Sequence, residues 1–372
     1  MEPAWAHYVS WDGQRPMTEP EQWQAQGVSI EAFLDGNGTA AADGAGPILD
    51  VRSPAEFAQG HIPGALNLPL FSDAERAAVG TAYKQQGRQR AVQLGLEAVG
   101  PRLAAMASEL QCLASNGGGL RIHCWRGGLR SRSVAWLAGL QQLPVRLLAG
   151  GYKTYRRWAL DLVSLPWPLL VLGGRTGTGK TDLLLELERR GSAVVDLEGL
   201  ANHRGSSFGG LGLGEQPTTE HFENRLAWSL WKLRGQGPVW VEAESAQVGR
   251  CRIPQPFWAQ MRAAPVLEIE RPLAQRVAQL VSVYGSQGEE PLRLATERIA
   301  RRLGPQRTAA ALAAIEAHDW AGACRQMLDY YDRCYDHDLA SREQAARERL
   351  DLGLSSVAEA SELLLGAAAR HA

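Results

Sequence analysis

Cys124 lies in a sequence that favours nucleophilic chemistry at its sulfur atom. The stretch RIHCWRGGLRS at residues 121–131 is typical of a short apolar strand, a glycine-bearing loop and the start of a helix. The backbone N–H groups of such a loop, the positive end of the following helix and the side chains of Arg126 and Arg130 all favour thiolate over thiol. The sequence therefore predicts a catalytic cysteine with two catalytic arginines.

A second anion-binding sequence follows about fifty residues later. The segment GRTGTGKT at residues 174–181 has the G-x-x-x-x-G-K-T spacing of a phosphate-binding P-loop, in the required order of strand, loop and helix. Lys180 supplies a point charge, and the Thr181 hydroxyl is expected to hold Mg²⁺. The glycines expected to let backbone amides approach the phosphates are Gly174, Gly177 and Gly179.

Carboxylates at the ends of later predicted strands bear on metal binding at this loop. No apolar strand ends in a plain Walker-B aspartate, and the candidates are Glu242, Glu244 and Asp196. We expect Thr181 and Asp196 to hold Mg²⁺, with the two glutamates near the bound phosphates. ATP hydrolysis and binding of another diphosphate both remain open, as does a purely structural salt bridge for Glu242. No tightly bound cofactor is expected.

A glycine-rich segment at residues 197–217 contains His203 and Arg204. Long irregular loops in compact domains are usually functional or disordered. We expect this one to act as a substrate lid that brings both side chains to the phosphate site.

The charge of the chain is nearly balanced overall but uneven locally. The formal net charge of −1 does not indicate a nucleic-acid binder. Residues 110–160, however, contain no Asp or Glu and eight Lys or Arg. Such a patch suits a phosphate-rich partner, with a solvated basic face as the alternative. The side chains predicted to contact that partner are Arg132, Lys153, Arg156 and Arg157.

Cysteine usage and hydropathy restrict the cellular setting. The five cysteines are odd in number and contain no C-x-x-C pair, which disfavours a disulfide framework and a zinc site. No stretch approaches the roughly 20 apolar residues that span a bilayer, and the N-terminus lacks the pattern of a signal peptide. We expect a cytoplasmic protein without membrane contact.

The elements that must position these residues alternate between strand and helix. Predicted strands lie at residues 47–52, 66–69 and 120–124 and again at 169–172, 193–197, 238–244 and 265–269. This order predicts an α/β protein with mostly parallel sheets and with ligand loops at the carboxyl ends of the strands. The predicted domains are residues 1–160 (core about 28–158), an α/β P-loop domain at 161–288, and a helical region at 289–372.

The first domain resembles the rhodanese superfamily. The resemblance rests on DVR at residues 50–52, GHIPGA at 60–65, and a cysteine loop closed by Arg130 and Ser131. Most rhodanese loops run C-x4-R, whereas this one runs C-x5-R, which together with His123 also matches the signature of cysteine phosphatases. From the loop alone, chalcogen transfer and phosphate-ester hydrolysis both remain open.

The chain as a whole resembles the tRNA 2-selenouridine synthases. The shared motifs include VGTAYK at 79–84, CWRGGLRS at 124–131, LEGLANHRGS at 197–206 and YYD at 330–332. The resemblance implies a rhodanese-like domain, a P-loop NTPase-like domain and a helical C-terminal extension. It also implies geranylation of the wobble 2-thiouridine of tRNA by geranyl diphosphate, followed by replacement of the geranylthio group with selenium from selenophosphate.

The same resemblance implies roles for the residues singled out above. The P-loop would bind the diphosphate of geranyl diphosphate, the loop of Arg126 and Arg130 would bind selenophosphate, and Cys124 would take up selenium as a selenenyl sulfide. The basic patch would contact tRNA. The general acid or base stays unassigned, with three candidates: Asp50, His123 and His203.

Overall fold

The computed structural model describes residues 27–35, 45–114, 119–340 and 346–371. The chain forms two compact units. The first comprises Met1–Ala58 and Gly64–Tyr155, and the second comprises Gln59–Pro63 and Arg156–Ala372.

The first unit is built on a five-stranded parallel sheet with the spatial order β1-β5-β4-β2-β3. Its strands are β1 (Gly27–Val28), β2 (Ala45–Asp50), β3 (Leu66–Asn67), β4 (Gly119–His123) and β5 (Val145–Leu148). Asp50 lies opposite His123 in the register of β2 and β4. Cys124, the first residue after β4, therefore lies at the carboxyl edge of the sheet, as the sequence predicts.

Helices cover the sheet of the first unit and bury its core. They are α1 (Ile30–Leu34), α2 (Pro54–Gln59), α3 (Asp73–Gln86), α4 (Arg88–Val99), α5 (Leu103–Leu113) and α6 (Leu129–Leu140), with α7 (Gly151–Ser164) running into the second unit. α3 begins with a capping box in which Ser72 and Glu75 each accept a hydrogen bond from the other's backbone N–H. Ile122 and Val134 are fully buried between β4 and α6.

The second unit has its own five-stranded parallel sheet, with the order β12-β11-β6-β8-β7. Its strands are β6 (Leu169–Gly174), β7 (Ala193–Val195), β8 (Val239–Glu242), β11 (Val266–Glu270) and β12 (Arg347–Asp351), and β9 (Gln247–Val248) and β10 (Cys251–Arg252) form a separate antiparallel pair. Every residue of the central strand β6 is buried. Glu242 ends the neighbouring strand, opposite Leu172.

Nine helices complete the described part of the second unit. They are α8 (Lys180–Arg189), α9 (Leu197–Ala201), α10 (Thr219–Leu233), α11 (Gln255–Ala263), α12 (Leu273–Tyr284), α13 (Glu289–Leu303), α14 (Pro305–Glu316), α15 (Trp320–Ala340) and α16 (Val357–Ala368). Ile299, Ala311 and Met327 form a core among α13, α14 and α15. The predicted architecture of two parallel α/β sheets with a helical C-terminal part is thereby confirmed.

One element of the C-terminal part differs from the predicted helical region. β12 pairs with β11 in parallel, and its side chains alternate between exposed and half-buried. The strand contains a single apolar residue, so its sequence carries no hydrophobic alternation that predicts a strand. Ion pairs stabilise it instead, because Glu268 of β11 lies 3.1 Å from both Arg347 and Arg349. Within the described ranges, no helix is long and apolar enough to cross a membrane.

A buried ion pair lies at the carboxyl edge of the first sheet. The Arg52 guanidinium donates to both carboxylate oxygens of Asp50, to Oδ1 at 3.0 Å and to Oδ2 at 2.6 Å, and both side chains are fully buried. The same guanidinium lies 3.7 Å from the ring centroid of Tyr152. Burial alone raises the pKa of Asp50, but the charge of His123 and the hydrogen bonds and charge of Arg52 outweigh it, so the pKa is lowered.

Replacing Asp50 by Asn should destabilise the protein by about 3–5 kcal/mol, because Arg52 would keep a buried charge without its counterion. The midpoint of urea unfolding, followed by tryptophan fluorescence, should fall by on the order of 1 M. Since the pKa of Asp50 is lowered, the wild type holds this stabilisation above about pH 4 and loses it as the pH falls further.

The matched control for Asp50→Asn is Glu97→Gln. Glu97 forms an exposed ion pair with Arg90 at 3.8 Å in the same unit. Its loss should change stability by less than about 1 kcal/mol. Equal midpoint shifts in the two variants would contradict the structural role of the buried pair.

Candidate active site

The cysteine loop connects β4 to α6 and is tied down by the start of α7. The Cys124 carbonyl accepts a hydrogen bond from the Tyr152 backbone N–H at 2.8 Å, and the Trp125 carbonyl accepts one from Lys153 at 3.0 Å. Gly151 has a φ of +62°, and a Cβ there would lie 2.3 Å from the Cys124 carbonyl oxygen. Only glycine lets the two segments approach this closely. The main-chain path of the loop is therefore held from outside it.

The thiol of Cys124 is buried beneath the loop. Its Sγ lies 3.2 Å from the Ser131 hydroxyl, and the side chain of Ser131 also donates to the Gly128 carbonyl. Ser131 belongs to the first turn of α6, whose free N–H groups point toward the loop. A hydroxyl and a helix N-terminus thus share the surroundings of the sulfur.

Arg130 is held by Glu56, which lies in the first turn of α2. Arg130 Nη1 lies 2.5 Å from Glu56 Oε2, and Glu56 also accepts from the Ser53 backbone N–H at 3.1 Å. Burial raises the pKa of Glu56, but the hydrogen bonds and charge of Arg130 lower it by a larger amount, so the net shift is downward. An anion that binds Arg130 competes with this carboxylate.

The acid or base candidates behind the loop are both inaccessible. Asp50 is held by Arg52, as described above, and His123 is fully buried with Nε2 at 3.8 Å from the Asp50 carboxylate. These side chains support the loop from below. Neither one reaches solvent, so their placement favours a structural role.

The basic residues of the first half fall into two groups. Arg126, Arg132, Lys153 and Arg157 are exposed. Arg121, part of the same sequence patch, is instead buried and donates to the carbonyls of Gly46 and Phe33. Burial, with the nearby charge of Arg146, lowers its pKa to about 10. Arg121 is therefore a structural residue.

Arg156 also has partners within the second unit. It forms an ion pair with Glu223 at 2.5 Å and donates to the Asn224 side chain at 2.6 Å. Its guanidinium reaches a polyanion only in competition with these groups.

The P-loop has the expected geometry between β6 and α8. The Lys180 ammonium donates to the Gly174 carbonyl at 2.7 Å, so it folds back over the loop. Gly177 has a φ of +84°, and a Cβ there would lie 2.6 Å from the Arg276 carbonyl oxygen. The sequence motif and the local backbone agree, which gives a cradle of N–H groups at a helix N-terminus.

Hydrogen bonds connect the Thr181 hydroxyl to Glu198 and, through the Glu198 backbone, to Glu242. Thr181 donates to Glu198 Oε2 at 3.0 Å, and the Glu198 backbone N–H donates to Glu242 Oε1 at 2.6 Å. Burial raises the pKa of Glu242 well above its ordinary value, and the charges of Asp196 and Glu198 add to that shift. Burial likewise raises the pKa of Glu198. The sequence does not predict a role for Glu198, because nothing local links it to Thr181, 17 residues earlier.

These oxygens fit a divalent cation that is shared with a phosphate. Asp196 is engaged as the N-cap of α9, where its carboxylate accepts from the Gly199 N–H at 2.8 Å. Among the described residues, no group of three or more His, Cys, Asp or Glu is arranged to hold a metal by itself. Mg²⁺ in phosphate sites takes one or two protein oxygens and completes its shell with water and phosphate. The Thr181 hydroxyl beside buried carboxyl groups suits that mode.

The phosphate cradle opens into a cavity of about 480 Å³ with two chemically different walls. The polar wall contains the P-loop amides, Lys180 and Glu244. Another part of the lining comes from α12 and α15 and is mainly apolar and aromatic. Its members are Leu280, Val283, Tyr284, Tyr331 and Tyr335. Two tyrosines of α15, Tyr331 and Tyr335, thus line the site.

The two residues predicted to reach this site from the glycine-rich segment differ in position. Arg204 lines the cavity, donates to the Leu211 carbonyl at 2.9 Å and lies 5.8 Å from the Tyr284 ring centroid. His203 does not line it, and burial lowers the pKa of its imidazole. Ser206 of the same segment lines the cavity as well.

Comparisons with known proteins agree with both halves. A rhodanese-like domain model matches residues 35–157, and a model described as the tRNA 2-selenouridine synthase AAA domain matches residues 167–351. A tRNA 2-selenouridine synthase from Marinobacter nauticus is 37% identical over 335 residues, which cover 80% of this chain and 89% of the relative.

Two further relatives carry the same name. The protein from Pseudomonas fluorescens Pf-5 is 41% identical over 70% of this chain and 76% of its own length. The one from Bordetella petrii is 38% identical over 80% of this chain and 88% of its own length. With the cysteine loop and the P-loop both in place, this chain belongs to the tRNA 2-selenouridine synthase family.

Proposed function

We propose that this protein converts the wobble 2-thiouridine of tRNA into 2-selenouridine in two stages, first geranylation by geranyl diphosphate and then selenium exchange with selenophosphate. The observation that carries the proposal is the P-loop cavity. A phosphate cradle and a group of apolar and aromatic side chains line the same cavity there, which suits a substrate with a diphosphate at one end and a hydrocarbon at the other. The cysteine loop supplies a second cradle for a tetrahedral anion.

In the first stage, the P-loop amides and Lys180 bind the diphosphate, and the wall of α12 and α15 takes the geranyl chain. The sulfur of the thiouridine attacks the first carbon of the chain. The carbon–oxygen bond breaks, its electron pair leaves with diphosphate, and the base loses its N3 proton. Lys180 stabilises the charge that develops on the leaving group. Mg²⁺ bound beside the Thr181 hydroxyl would supply further charge at the same oxygens.

In the second stage, selenium replaces the geranylthio group. Selenium has the oxidation level of selenide both in selenophosphate and in the selenouridine, so the exchange needs no net electrons. The C2–sulfur bond breaks, the C2–selenium bond forms, and water takes the phosphoryl group. The products are geranylthiol and phosphate. Alkylation prepares this step because a thiolate leaves C2 more readily than sulfide does.

This electron balance constrains the role of Cys124. A selenenyl sulfide, as the family resemblance implies, holds selenium two electrons above selenide, so making it releases phosphite and discharging it consumes a thiol. The redox-neutral route is attack of the Cys124 thiolate on phosphorus. The phosphorus–selenium bond then breaks, hydrogenselenide leaves to attack C2, and water hydrolyses the phosphocysteine. The six-residue spacing from Cys124 to Arg130 and the hydroxyl of Ser131 at 3.2 Å from Sγ favour this second route.

Substitutions at the two cradles should separate the two stages. Cys124→Ala should retain geranylation and lose selenation. Lys180→Ala should lower the rate of geranylation by on the order of 10²–10³ but should still selenate tRNA that is supplied already geranylated. Digestion of the tRNA and mass spectrometry of its nucleosides measures both products. Cys112→Ala, at an exposed cysteine, is the matched control and should carry out both geranylation and selenation.

Loss of both stages in Cys124→Ala would contradict this division of labour. Release of phosphate from selenophosphate by the wild type, with the uridine left unchanged, would instead favour the phosphatase alternative that the C-x5-R loop left open.

The fate of phosphorus tests the role of Cys124. We expect phosphorus NMR to detect phosphate rather than phosphite, with no requirement for added thiol, and radioactive phosphate to appear on the Cys124 peptide after rapid quenching. A phosphoryl group and a selenium atom add nearly the same nominal mass, so the isotope pattern of selenium must be examined too. Phosphite together with thiol dependence would overturn this route and establish the selenenyl sulfide.

The exposed side chains of Arg132, Lys153 and Arg157 are proposed to bind the tRNA backbone, with Arg156 as a further candidate. Each phosphate contact contributes about 0.9 to the slope of log K against log salt concentration for duplex nucleic acid. Arg132→Gln should therefore reduce the magnitude of that slope by about 0.9, the contribution of one phosphate contact. Arg189→Gln is the control, because Arg189 is 71% exposed but paired with Glu186 on the second unit. Equal slopes in wild type and Arg132→Gln would remove Arg132 from the tRNA contacts.

A further inference from the structure

The first unit contains an apolar groove that the chemistry described so far does not use. Its volume is about 600 Å³, and it is enclosed by α3, α4, α5 and α6. In the described part of this unit, eight large hydrophobic side chains are exposed, and five of them line this groove. They are Tyr83, Val92, Leu96, Leu129 and Trp136. Exposed apolar side chains that cluster in this way mark a binding site rather than ordinary surface.

The groove is continuous with the cysteine loop. Leu129 and Arg130, the first two residues of α6, line it, while the next residue, Ser131, contacts Cys124 Sγ. One helical turn thus faces the sulfur on one side and the groove on the other. The groove then follows α6 as far as Leu137, a distance of about 12 Å at 1.5 Å per residue. A ligand whose reacting end lies at the loop can extend along the helix.

We propose that this groove binds the geranyl chain of the S-geranylated uridine during selenium exchange. The inference rests on the proposed function, because that function brings a ten-carbon hydrocarbon to Cys124 on the sulfur that must leave. The polarity of the groove matches such a chain, with Arg130 at the end nearest the loop and apolar side chains beyond it. Its volume falls in the usual range for small-molecule pockets, about 300–1,000 Å³. The chain would orient C2 of the base toward the selenium donor.

The test compares two alkyl groups on the same RNA. Anticodon stem-loops carrying S-geranyl-2-thiouridine or S-methyl-2-thiouridine are incubated with selenophosphate, and kcat/KM for selenation is measured on each. We expect the wild type to prefer the geranyl substrate. Leu96→Gln, at a side chain that is 68% exposed, should lose about tenfold on that substrate, mainly in KM, as for other changes in hydrophobic pockets. Its rate on the methyl substrate should not change, which also reports that the unit is folded.

The matched control is Leu140→Gln. Leu140 lies on α6 and is 52% exposed, but it is outside the groove. This variant should keep the wild-type preference for geranyl over methyl. Geranylation of 2-thiouridine at the P-loop should be normal in both variants.

The alternative outcomes are distinguishable. An unchanged geranyl-to-methyl ratio in Leu96→Gln, with normal selenation by the wild type, overturns the groove inference alone. If that same variant also changes the sedimentation coefficient, the groove is an interface between two copies of the chain. Selenation of neither substrate by the wild type overturns the proposed function, and this inference with it.

Discussion

Both candidate sites depend on one arrangement of the backbone, in which a buried parallel strand ends and a helix begins within a few residues. The turn between them directs N–H groups at one point, and the helix adds its positive end. β4 and α6 create this arrangement around Cys124, and β6 and α8 create it at the P-loop. The strands must be central and buried so that the turns stay rigid. An anion at either site would be bound by main-chain N–H groups, and no side chain can take their place.

At both cradles, a carboxylate is already paired with a group that an incoming anion or its metal ion would contact. Arg130 is paired with Glu56, and the Thr181 hydroxyl is paired with Glu198. In each case the group that would meet a phosphate or its metal ion already has a partner, so binding exchanges one set of contacts for another. Burial and neighbouring carboxylates raise the pKa of Glu198 and of Glu242, and a divalent cation bound beside the Thr181 hydroxyl would oppose that shift.

The sequence was sufficient wherever the signal is local. It placed Cys124, the P-loop and the alternation of strands correctly, because each motif lies within one strand–loop–helix unit. It did not reveal Glu56 or Glu198 as partners, since these pairs join residues that are 74 and 17 positions apart. Strand β12 was missed because its stabilisation comes from Glu268 rather than from apolar alternation. The groove was missed because apolar residues on α3 and α4 have the same spacing whether a neighbouring helix or a ligand covers them.

The hydrocarbon chain of the proposed substrate would account for apolar surfaces that two anion sites alone would not require. An enzyme that handled only phosphates and RNA would need basic and polar surfaces. The exposed side chains of Leu96 and Trp136 would then lower its solubility without contributing to its reaction. Under the proposed function, an S-geranyl intermediate would be recognised twice, once when the chain arrives as a diphosphate and once when it leaves as a thiol. Each unit accordingly combines an anion cradle with an apolar surface. The alkyl chain then contributes binding energy that orients a small reacting centre, which is how remote binding energy accelerates a chemical step.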